Sequence, residues 1–132
     1  MDSCIRRLKG GCSRLELSDR VARELFWFLI VRRCAGDEQG IRLDPSSKMD
    51  SLLRWTLLET DVLAELERLV GKVHYTQAEK PDSEEERMLR RLRSMDEMAR
   101  QGWQPDLGVW EEEEGSLMTK EALRYSGGAV CL

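Results

Sequence analysis

The sequence predicts an all-α, single-domain protein. It should be a small bundle of about four main helices, closed by a C-terminal Trp-containing strap and bounded by flexible ends. Three observations predict this. Apolar residues recur at helical spacing in the long segments. Those segments start at Ser or Asp caps and stop at glycines. The chain has 132 residues, 41% hydrophobic and 35% charged, which suits one modest core under a heavily charged surface.

Residues 1–17 read as a flexible basic arm. Gly10-Gly11 should interrupt a helix, and Arg6, Arg7, Lys9 and Arg14 make the segment positive. A contact with an acidic partner, or with the chain's own acidic C-terminal segment, is the alternative to a solvated tail. Residues 18–110 form the expected helical domain. Ser18 caps a first helix over Asp19 to about Cys34, which stops at Gly36, with Arg20 and Glu24 as an i,i+4 pair on its outer face. Leu25 to Val31 is apolar at every position, the pattern of a helix buried on several sides. A strand over Phe26 to Val31 competes with that reading, but the helix cap fits.

A loop over Gly36 to Pro45 follows. Ser47 caps a second helix, and Asp50 closes a capping-box variant. Met49, Leu52, Leu53, Thr56 and Leu57 make its apolar stripe. Thr60 recaps after a break, and a third helix over Asp61 to about Val70 buries Val62, Leu66 and Leu69 before Gly71. One continuous helix from Ser47 to Val70 is the alternative. Asp82 or Ser83 caps a fourth helix with Glu84, Glu85 and Glu86 in its first turn, a stripe of Met88, Leu92, Met95 and Ala99, and an end at Gly102. Its basic face (Arg87, Arg90, Arg91, Arg93) should be neutralised by neighbouring acids. Trp103 and Trp110 should plug the strap onto the helices. Residues 111–132 read as an acidic, flexible tail, in which Ser116 can cap a last short helix through Tyr125.

Composition excludes several functions. A net charge of −4 argues against non-specific nucleic-acid binding by the whole chain. The longest apolar run is far short of the ~20 residues a membrane helix needs. The four cysteines lack C-x-x-C spacing and suit free thiols in a reducing cytosol. With one histidine and no cysteine pair, neither a metal nor another cofactor is expected.

One stretch resembles a family. Leu43-Asp44-Pro45-Ser46-Ser47-Lys48-Met49-Asp50, continuing through Leu57-Leu58-Glu59-Thr60, is similar to the motif of the glycine-rich domain-containing protein-like family. The Pro-Ser, Asp50, the apolar pair and the acid-Thr close match that motif. Leu53 stands at its Trp position, and Arg54 and Thr56 at its two His positions. Gly71 and His74 match a later Gly and His, where Tyr75 replaces a second His. The resemblance covers roughly residues 20–110 and implies helices and a Trp-ended strap. It also implies a degenerate site at Asp50, His74 and Tyr75 that has lost its histidine cluster, since guanidinium offers no lone pair to a metal.

These residues favour a non-enzymatic, cytoplasmic interaction or scaffolding module. No catalytic residue is assigned. Trp55 and Leu58 lie off the apolar stripe of the second helix, beside Arg54, and are the candidate interface for a protein partner or a second copy. The structural alternative is that other parts of the chain cover them. The functional alternative is a divergent enzyme or small-ligand domain around Asp50, His74 and Tyr75.

Overall fold

The computed structural model describes residues 2–37, 39–74 and 83–111. Six helices and no strand occur among them: α1 (Asp2–Arg14), α2 (Asp19–Cys34), α3 (Ser47–Leu58), α4 (Thr60–Val70), α5 (Glu84–Arg100) and the single turn α6 (Leu107–Trp110). The all-α expectation holds. The apolar run makes α2 the hub, and it contacts every other helix. Leu25, Phe26, Phe28, Leu29 and Val31 are at most 3% exposed. Ser18 Oγ accepts from Arg20 N at its start. At its end Gly36, with φ +73°, lets Gly36 N and Asp37 N donate back to Arg33 O and Arg32 O.

The N-terminal arm is a correction. Residues 2–14 form α1, whose Cys4, Leu8, Gly11 and Cys12 are buried against the bundle. Two glycines in a helix cost about 1 kcal/mol each relative to alanine. Burial outweighs this, because a fully enclosed Leu8 alone contributes roughly 1.5–3 kcal/mol. Gly11 also has a packing reason to be there. A Cβ at Gly11 would lie 2.5 Å from the indole of Trp55 and 2.9 Å from Leu52. The helix ends where Glu16 takes φ +57° and Leu17 N donates to Cys12 O at 2.8 Å. The domain therefore begins before residue 18 and contains five main helices rather than four.

The break between α3 and α4 falls at Glu59, which leaves helical geometry at φ −106°, ψ 89°. Met49, Leu52, Leu53 and Thr56 are buried as their spacing predicted. The cap sits one residue earlier than expected, since Ser46 Oγ accepts from Met49 N at 3.3 Å. On α4 the buried stripe is Val62, Leu66 and Val70. Leu69 is 42% exposed, so the buried face turns by one position.

Ser83 caps α5 by accepting from Glu86 N. Its arginines do more than balance nearby acids, a second correction. Arg90 Nε donates to Asp44 at 2.8 Å, Arg91 Nε to Pro45 O at 3.2 Å and Arg93 to Arg42 O at 3.4 Å. Ser94 Oγ also donates to Asp44 O at 2.8 Å. At the other end of this loop, the Asp37 carboxylate accepts from the backbone N–H groups of Ile41, Arg42 and Leu43. The connection into α3 is thus fixed at both ends by charge-assisted hydrogen bonds. The proposed tail beyond residue 111 and its Ser116 helix lie outside the described residues.

Candidate functional site

The outward side of α3 carries the interface candidates. Arg54 and Leu58 are one helical turn apart and share a face. Leu58 is 83% exposed, more than any other large apolar residue described. Arg54 pairs with Asp50 at 3.0 Å, one turn back along the same ridge. Trp55 behaves differently. It is half-buried and its ring edge rests over Gly11 of α1. The covering element is the segment read from sequence as a disordered arm. Leu58 and Arg54 therefore face outward, while Trp55 clamps α3 to α1.

The degenerate motif residues are tied to different elements. Asp50 is salt-bridged to Arg54, and as the N-cap is Ser46 it stands one position past the capping box expected for it. His74 offers its backbone carbonyl to Arg32 at the end of α2, at 3.4 Å. Tyr75 lies outside the described residues. No group of three or more His, Cys, Asp or Glu able to hold a metal ion occurs among the described residues. Near His74, Leu29, Arg32, Arg33, Val70, Lys72 and Val73 line a cleft of ≈ 10 Å³. That is room for about one water molecule.

Glu24, expected on the outer face of its helix, is a further correction. Glu24 is 1% exposed and does not pair with Arg20 on an outer face. Its Oε1 accepts from Trp103 Nε1 at 2.8 Å. Its Oε2 accepts from Trp110 Nε1 at 2.8 Å and from Asp106 N at 2.6 Å. Burial pushes its carboxyl above the ordinary value, and the three donors only partly oppose the desolvation. Arg20 instead pairs with Asp106, and Lys48 Nζ donates to Gly108 O at 2.9 Å. Trp103 stacks on Trp27 at 5.0 Å, and Trp110 meets Phe28 edge-on at 6.0 Å. Residues 103–110 are thus the expected strap, anchored on one enclosed carboxylate. A substrate has no approach to a group this buried, so Glu24 is an anchor. A signal for it existed. Val21, Glu24, Leu25 and Phe28 follow the i, i+3, i+4, i+7 spacing of the inner face.

The thiols of α1 are shielded rather than activated. Burial raises the Cys4 thiol, and it raises that of Cys12 to about 11. No helix among the described residues is long and apolar enough to cross a membrane. No protein-family model, curated protein or solved structure matches this chain.

Proposed function

We propose that this protein is a non-enzymatic interaction module that self-associates through the outward ridge of α3. The observation that carries the reading is Leu58, an 83%-exposed leucine on a helix whose other large apolar residues are buried or half-buried. The ridge also has the charge pattern that a two-fold contact needs. Asp50, Arg54 and Leu58 stand at i, i+4 and i+8. Two copies packed antiparallel along it, in the register that sets Arg54 of each against Asp50 of the other, place each Leu58 at an outer end of the contact, opposite position 46 of its partner. Trp55 supports this contact from beneath, by fixing α3 on α1.

The candidate acids favour this reading over catalysis. Asp50 is held by Arg54, and Glu24 is enclosed by the strap. Relationship to the glycine-rich domain-containing protein-like family is likewise proposed, on Pro45, Ser46, Asp50, the Leu57-Leu58 pair and Glu59-Thr60. The free Cys4, Cys12 and Cys34 support a reducing, cytoplasmic setting. A charge swap tests the contact. Arg54→Asp should weaken self-association, and Arg54→Asp with Asp50→Arg should restore it. Association that ignores both changes would remove this ridge from the interface.

A further inference from the structure

Among the described helices α1 carries the largest net positive charge. Four cations and one acid give α1 a net +3, so the remainder of the chain, which is −4 overall, carries −7. The inner face of α1 is spent on packing, with Cys4, Leu8 and Cys12 fully enclosed. Its cations therefore stand on a fixed platform and not on a mobile tail.

Their pairing is uneven. Arg7 reaches Glu65 of α4 at 3.1 Å. Arg6, Lys9 and Arg14 are exposed and make no ion pair with any described residue. Arg6 and Arg14 are eight residues apart, about 12 Å along the axis. Between them the exposed positions are Arg7, turned to Glu65, Lys9, and the small Gly10 and Ser13, and a Cβ at Gly10 would meet nothing within 4 Å. A chain lying along this face finds cations at its edges and no bulky side chain in the middle.

We propose that the outward face of α1, through Arg6, Lys9 and Arg14, docks an acidic peptide segment of another protein. The length fits about four extended residues or two helical turns of partner. Charge and surface chemistry favour a peptide over other anions. The face carries no aromatic side chain on which a base could stack. A long nucleic acid would also bring its phosphates against the −7 remainder of the protein. The face lacks the exposed apolar residues that seat a helix in a lipid surface. This surface does not rest on the α3 ridge, and each can fail without the other.

The test uses the full chain and a fluorescein-labelled polyglutamate peptide, read by anisotropy at low and at physiological salt. Wild type should bind at low salt and weaken as salt rises. Arg6→Gln/Lys9→Gln/Arg14→Gln should lose about tenfold or more in affinity, because three exposed charge contacts are removed together. Arg23→Gln/Arg68→Gln/Arg87→Gln changes net charge equally on other faces and should lose little. If the α1 variant melts early, Lys9→Glu alone carries the test, with a smaller loss in the same direction. The proposal is overturned by no binding at low salt, or by equal losses in the two triple variants. Tighter binding of a single-stranded oligonucleotide or of anionic phospholipid vesicles would also overturn it.

Discussion

Replacing Gly10 and Gly11 with alanine, one at a time, should move stability in opposite directions. Both glycines lie inside α1, and in an isolated helix each change would gain about 1 kcal/mol. At Gly10 that gain should appear nearly whole, since the new methyl meets nothing within 4 Å. At Gly11 the methyl would lie 2.5 Å from Cε3 and Cζ3 of Trp55 and 2.9 Å from Cδ1 of Leu52. Either the indole leaves its seat or α1 moves off α3, and overpacking of this kind costs roughly 1–3 kcal/mol. The net effect at Gly11 should be a loss of up to about 2 kcal/mol after the helix gain is deducted. For a domain of this size 1 kcal/mol moves the melting temperature by about 4 °C. Thermal melts followed by circular dichroism should show Gly10→Ala above wild type and Gly11→Ala at or below it. Trp fluorescence should shift only in the second variant. Two equal gains with unchanged fluorescence would mean that α1 does not pack on Trp55.

Four further outcomes are expected. Glu24→Gln should cost roughly 1–3 kcal/mol in a denaturant titration, because the amide nitrogen leaves one of the three strap donors without an acceptor; an unchanged midpoint would contradict the anchor. Glu24 is also a pH probe. Its folded carboxyl lies above the ordinary 4.5, so the native state binds the extra proton between that value and its own raised one. Its contribution is therefore full below 4.5 and lost as pH rises through the folded value, so the stability advantage of wild type over Glu24→Gln should be largest at the acid end of this window and shrink as pH rises through it. Phe28→Ala, in a side chain with 0% exposure, should cost about 3–5 kcal/mol by calorimetry, with under 1 kcal/mol pointing to a surface site. Elemental analysis of chelator-free protein should find no stoichiometric metal, and near-equimolar zinc or iron would reopen the motif around Asp50 and His74.

Local signals and their limits explain what the sequence revealed. Helix α2 was legible because an unbroken apolar run with a Ser cap and a Gly stop has one compact solution, a central helix. The Glu59 break was legible from its polar, cap-like neighbours. Helix α1 was hidden because Gly10 and Gly11 lower its propensity, and the contact that makes Gly11 necessary comes from Trp55, more than forty residues away. Glu24 was misplaced for a related reason. Arg20 four residues earlier offered an obvious surface partner, while the true donors are on Trp103, Asp106 and Trp110. The arginines of α5 looked self-balanced by nearby glutamates, and only the fold brings Asp44 and Pro45 to them. Of the interface candidates, Leu58 and Arg54 could be read as outward from their offset to the core stripe. Trp55 has the same offset but is covered by α1.

The central claim is that the ridge of α3 joins two copies, and sedimentation velocity over a wide concentration range tests it most directly. Wild type should shift from monomer toward dimer as concentration rises. Leu58→Ser should stay monomeric at the same concentrations with an unchanged melting temperature, since a side chain this exposed contributes little to the fold. Wild type that remains a monomer throughout, or a Leu58→Ser variant that associates as wild type does, would contradict the account.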